Sequence, residues 1–136
     1  MTTKINPWRF CVAPMLDWTD RHCRYFHRQL SRHARLYTEM VTCGAIIYGD
    51  KARHLDFNAE EHPVALQLGG SDPKDLAVCT KIAQQWGYDE VNLNLGCPSR
   101  TVVTKGRGAG FLGRPTALDE FLAQVFDCVR IRVSVK

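Results

Sequence analysis

Apolar and polar positions along the chain change period several times, and the changes mark alternating strands and helices. Arg9–Met15 reads as a short apolar strand stopped by Pro14. Leu36–Val41 and Pro63–Leu68 alternate with a period of two, and Gly69–Gly70 closes the second of them. In Val91–Leu95 the residues Val91, Leu93 and Leu95 alternate with Asn92 and Asn94, and Arg130–Lys136 forms a fifth strand. Between these stretches the period becomes helical. Asp17 to Asp20 supply N-cap candidates for a helix over Arg21–Leu30, with Cys23, Phe26 and Leu30 as its inner stripe and Arg21, Arg24 and Arg28 facing out. A short helix is expected over Gly44–Gly49, and residues 53–62 are polar enough to read as loop. Ser71-Asp72-Pro73 opens a helix carrying Leu76, Cys79, Ala83 and Trp86, which Gly87 ends. Pro115-Thr116 opens another, with Leu118, Phe121, Leu122, Val125 and Val129 along one face.

Strands that alternate with helices form successive βαβ units and a parallel sheet. The class is therefore α/β. Polar residues recur at the carboxyl ends of the strands, which points to a TIM (β/α)8 barrel represented by about its first five strands; a whole barrel needs roughly 250 residues. A doubly wound sheet is the weaker alternative, because no Gly-x-Gly-x-x-Gly follows the first strand. No low-complexity segment or linker divides the 136 residues, so a single unit is expected.

Composition narrows the class. With 18 Lys and Arg against 14 Asp and Glu, the net charge of +4 is compatible with a polyanionic partner without demanding one. Arg21, Arg24, Arg28, Arg32 and Arg35 make a basic cluster, read either as a solvated helix face or as a phosphate-contacting surface. No apolar run approaches the roughly 18 residues of a membrane span, and residues 1–8 have no apolar leader, so a cytoplasmic location is expected. The six cysteines are scattered, with no Cys-x-x-Cys pair and no Cys/His cluster at metal-ligand spacing. Free thiols are expected, five of them as packing residues, and no metal site.

The sixth thiol is Cys97. Gly96 and Pro98 end the preceding strand, which leaves Cys97 just past a strand's carboxyl end, where α/β folds carry their chemistry. Asn94 lies three residues upstream, and Gln67 occupies the matching end of the third strand. Amides on a buried strand need hydrogen-bond partners. Two readings fit: the amides and thiol contact a ligand, or the amides satisfy neighbouring loops and the thiol is a small packing residue.

Ala13-Pro14-Met15-Leu16-Asp17-Trp18-Thr19-Asp20, Tyr37-Thr38-Glu39-Met40, Ala65-Leu66-Gln67-Leu68-Gly69-Gly70, Asn92-Leu93-Asn94-Leu95-Gly96-Cys97-Pro98-Ser99 and Val133-Ser134-Val135-Lys136 together closely resemble the tRNA-dihydrouridine synthases, most like the A-type branch over the first hundred residues. The resemblance implies an FMN-dependent reductase with NADPH as electron donor and tRNA as substrate. Hydride would pass to C6 of a D-loop uridine flipped out of the tRNA, and a cysteine would protonate C5. It implies Cys97 as that proton donor and Asn94 as a holder of flavin and uracil. It further implies Pro14, Met15 and Leu16 as a backbone lining for FMN, Gln67 as a partner of the isoalloxazine, Lys136 near its N1 edge, and Arg107 as a substrate contact. A full-length protein of this kind is expected to be a monomer.

The run Thr104-Lys105-Gly106-Arg107-Gly108-Ala109-Gly110-Phe111-Leu112 departs from the A-type pattern. The resemblance also implies further strands, late phosphate-binding loops and a C-terminal helical tRNA-binding domain after Lys136, so the chain is expected to be an N-terminal part of the catalytic domain. Two other readings compete: a flavin barrel of the dihydroorotate- or dihydropyrimidine-dehydrogenase type, and an inactive remnant of the synthase.

Overall fold

Five parallel strands lie side by side in the order in which the chain makes them. The computed structural model describes residue 6 and residues 8–136; most of residues 1–8, read above for a leader, lies outside the described residues. The strands are β1 (Cys11–Val12), β2 (Arg35–Thr42), β3 (Val64–Gly69), β4 (Glu90–Leu93) and β5 (Arg132–Val135). The helices are α1 (Arg21–Leu30), α2 (Cys43–Tyr48), α3 (Lys51–Leu55), α4 (Pro73–Gln85), α5 (Arg100–Val103) and α6 (Pro115–Cys128). A doubly wound sheet reverses its strand order at a switch point, whereas consecutive order is that of a barrel wall. The five strands are thus the opening part of a (β/α)8 barrel.

The two faces of the sheet have opposite chemistry. Leu66, Leu68, Val91, Leu93 and Leu95 point to the helical layer, where they pack on Ile46 of α2, Leu76, Cys79 and Ala83 of α4, and Phe121 and Val125 of α6. Each of these leucines is almost wholly buried and contributes about 1.5–3 kcal/mol. The opposite, concave face carries Tyr37, Gln67, Glu90, Asn92 and Ser134, a layer fixed by the register Gln67↔Asn92↔Ser134. At the amino end of the strands Trp8 lies against the guanidinium groups of Arg35 and Arg132, 5.1 and 4.2 Å from its ring centroid, and donates its indole N–H to Glu90 at 3.1 Å.

Several expectations need correction. β1 is only two residues long: Met15 closes a turn, its carbonyl accepting the N–H groups of Trp18 and Thr19, so the chain leaves the sheet at once. Residues 53–62 are not all loop. Asp50 caps α3 by accepting the N–H groups of Ala52 and Arg53, and Ala59–Glu61 makes a 3-10 turn.

The largest correction concerns α1. Its bounds match the sequence reading, but its faces are reversed. Arg24 and Arg28 are 5% and 8% exposed, while Phe26 and Leu30 are 60% and 70% exposed. The elements facing α1 present acceptors: Arg24 pairs with the fully buried Glu61 and donates to Thr19 O, and Arg28 donates to the carbonyls of Ser31, Glu61 and Pro63. Guanidinium groups satisfy that wall and apolar side chains cannot. Arg35 is also buried, 3.1 Å from Glu90, and Arg21 pairs with Asp56, so the basic cluster does not form one solvated or phosphate-facing surface. The thiols are all free, but only Cys43 and Cys79 are buried in the core; Cys11 and Cys128 are exposed.

Candidate functional site at the carboxyl ends of the strands

The strand ends converge on a cavity of about 370 Å³ lined by Pro14, Leu16, Met40, Gln67, Asn94, Gly96, Cys97, Pro98, Ser99, Val102 and Lys136. It joins five of the residues singled out by sequence to Pro14 of the first loop. Lys136 lies one step beyond β5, where its N–H bonds Leu93 O at 2.9 Å and its carbonyl accepts Leu95 N–H at 2.8 Å. That pairing extends the β4–β5 ladder past the strand and fixes where the lysine emerges.

Cys97 is half-buried on the cavity wall and does not point into the aliphatic core. Its position is set by Asn94, whose Oδ1 accepts the N–H groups of Gly96 at 3.3 Å and Cys97 at 3.0 Å. This turn replaces the strand ladder that Pro98 cannot continue. From behind, Gly108 holds the same loop: Ala109 N–H bonds Cys97 O at 3.1 Å, and a Cβ at Gly108 would stand 2.7 Å from that oxygen. Gly96 similarly lets the backbone of Lys136 approach, with its carbonyl 3.3 Å from where a Cβ would sit.

The amides are joined to one another. Asn94 Nδ2 donates to Gln67 Oε1 at 3.2 Å, and Gln67 Nε2 donates to Asn92 Oδ1 at 2.7 Å. The amides therefore satisfy one another across the strands, and Gln67 and Asn94 also line the cavity. Leu16 is held by the first loop, which Glu39 pins to β2 by accepting the N–H of Asp17, a residue in the left-handed region at φ 64°.

Two candidate residues are placed differently. Met15 does not line the cavity; its N–H bonds Thr19 Oγ1 at 2.9 Å and its carbonyl is occupied by Trp18 and Thr19. Arg107 lies in an adjoining cavity of about 160 Å³ with Lys105, Thr42 and Thr101, which shares Met40, Asn94 and Val102 with the first. Met40, Ser99 and Val102 were not foreseen; the Tyr-Thr-Glu-Met stretch on β2 was the available signal for Met40. A larger cavity, about 670 Å³, lies between α4, residues 103–114 and α6, on the helical side and away from these groups. Among the described residues no group of three or more His, Cys, Asp and Glu side chains is placed to hold a metal ion, and no helix is long and apolar enough to cross a membrane.

A barrel wall with thiol, amides and ammonium gathered at the carboxyl ends of consecutive strands defines an α/β-barrel enzyme site. The family model for dihydrouridine synthase (Dus) matches residues 11–136, and the chain belongs to that family. Curated relatives named tRNA-dihydrouridine(20/20a) synthase include those of Vibrio cholerae serotype O1 (60% identical) and Pseudomonas aeruginosa (56%), each aligned over 94% of this chain and 39% of its own length. The Salmonella typhimurium relative of the same name is 57% identical over 99% of this chain and 40% of its own length. The chain thus spans about two fifths of the length of these relatives.

Proposed function

We propose that this chain forms the flavin- and uracil-facing part of an enzyme that reduces a D-loop uridine of tRNA to 5,6-dihydrouridine, with FMN as cofactor and NADPH as electron donor. The observation that carries the reading is the coupling of Asn94 and Cys97 in the cavity that also holds Gln67 and Lys136. The chemistry of the donor set suits a flavin: Pro14, Leu16 and Met40 offer an apolar wall to a planar ring, and Gln67, Asn94 and Lys136 offer hydrogen bonds to its polar edge. Bound FMN, reduced by NADPH, would supply the hydride to C6 of the uracil.

The residues of the chain do the remaining work. Cys97 delivers the thiol proton to C5, and the thiolate recovers a proton from water. Asn94 orients the cysteine loop and holds the uracil. Lys136 places a cation where negative charge gathers in the reduced cofactor. Arg107, in the adjoining cavity, contacts the RNA backbone as a guanidinium suits a phosphate. The uridine must leave its stack, because C5 and C6 cannot be reached inside it.

The test is incubation of unmodified tRNA with the full-length protein that carries this chain, FMN and NADPH, followed by digestion and mass spectrometry of the nucleosides. Dihydrouridine is expected. Reduction of free uracil without reaction on tRNA would instead assign a pyrimidine-dehydrogenase activity.

A further inference from the structure

The hydrogen bonds that reach the cavity do not end there. Asn92 Nδ2 donates to Ser134 Oγ at 2.8 Å, and Ser134 Oγ donates in turn to Glu90 Oε1. A single chain therefore runs from Glu90 through Ser134, Asn92 and Gln67 to Asn94, spanning β3, β4 and β5 on the concave face. Glu90 is fully buried. Ser134 and Tyr37 donate to its Oε1, while Trp8 donates to its Oε2 and Arg35 stands 3.1 Å from that oxygen. With this many donors aimed at two oxygens, Glu90 acts only as an acceptor.

We propose that Glu90 is a positioning residue that sets the direction of this chain and thereby decides which amide atoms face the cofactor cavity. An acceptor-only end makes every link donate toward it. Ser134 spends its proton on Glu90, so it must accept from Asn92; the Asn92 oxygen is then left to accept from Gln67, and the Gln67 oxygen from Asn94. The Asn94 oxygen is taken by two backbone N–H groups. Gln67 and Asn94 each keep one uncommitted N–H. Two residues of the cavity wall, Gln67 and Asn94, are consequently left with hydrogen donors to offer, which suit the carbonyl oxygens and ring nitrogens of an oxidised, dione-type heterocycle. Reversal of the chain would present carbonyl oxygens there, which repel those acceptor atoms. The identity of that ligand as a flavin rests on the reading given under Proposed function; the direction of the chain does not.

The test uses the full-length protein that carries this chain, labelled with ¹⁵N, as wild type, Ser134→Ala and Glu90→Gln. Ser134→Ala keeps the Glu90–Arg35 pair and cuts only the link, so it remains informative if Glu90→Gln fails to fold. The expected result is a change in the side-chain amide resonances of Asn92, Gln67 and Asn94 together. With FMN as the titrated probe, Ser134→Ala should weaken binding about fivefold, the value of one hydrogen bond, and alter the flavin absorption band. A change confined to Asn92, or amide changes with FMN affinity held at the wild-type value, would overturn the inference. If the wild type binds no FMN while all three amides still respond, the direction of the chain stands and the flavin reading falls.

Discussion

Asn94 is tied to Cys97 through the backbone: its side-chain oxygen accepts the cysteine N–H at 3.0 Å, leaving the thiol itself free to face the cavity. The amide thus fixes where the sulfur stands without touching it. Asn94→Ala releases two backbone N–H groups and the link to Gln67. Dihydrouridine formation should fall by about two orders of magnitude, the cost typical of a reacting group displaced by an ångström. Single-turnover rates on tRNA measure it.

Cys97→Ala is expected to behave differently. The turn made by Asn94 uses the Cys97 backbone, so the loop survives the loss of sulfur. In the full-length protein that carries this chain, FMN affinity should stay unchanged while dihydrouridine formation nearly vanishes. Turnover at the wild-type rate would remove Cys97 from the chemistry.

Gly108→Ala tests the support behind the loop. The residue has φ 53°, and its Cβ would crowd Cys97 O at 2.7 Å and Val102 Cγ1 at 2.8 Å. A side chain there is strained by conformation and by contact alike. Turnover should drop at least tenfold with a smaller loss of thermal stability, read by paired kinetics and melting curves.

Arg24→Met should destabilise the fold by about 3–5 kcal/mol, because it strands the buried Glu61 carboxylate. Glu61 Oε1 also accepts the backbone and side-chain N–H groups of Asn58, so Arg24→Met combined with Glu61→Leu should recover only part of the loss. Urea unfolding midpoints decide this.

Stability should decline in alkali. Burial, then the neighbouring Glu90 carboxylate, pushes the Tyr37 hydroxyl above its ordinary 10.0, and burial does the same for Tyr88. Above pH 10 the unfolded chain loses these protons while the folded chain keeps them, so unfolding gains as pH rises. The stabilisation is complete below pH 10 and falls by at most about 1.4 kcal/mol per pH unit for each tyrosine. Tyr37→Phe should flatten the slope in denaturant titrations above pH 10 and leave it unchanged between pH 8 and 9.

The period of the apolar residues located β2, β3, α1, α4 and α6 because each is long enough for its pattern to repeat. It failed where an element is shorter than its own period, as in α3, although Asp50 before Lys51 was a readable cap. It also failed on the facing of α1. Burial there is decided by Glu61 and the carbonyl groups of Glu61 and Pro63, more than thirty residues away, and periodicity carries no information about a partner's polarity. The site divides in the same way. Asn94, Cys97 and Gln67 were legible from their places at strand ends, and Lys136 from the resemblance. The links among Glu90, Asn92 and Ser134 were not, since they follow from register between strands more than forty residues apart.

Residues 96–114 form the connection from the carboxyl end of β4 to α6. Its anchors include the Asn94 turn, the Ala109–Cys97 bond and Phe111 seated on Phe121. A segment held by contacts outside the strand ladder can change composition while the wall behind it stays intact. The Thr104–Leu112 run, which departs from the A-type pattern, sits in this segment, so drift can retune what the rim admits without rebuilding the barrel.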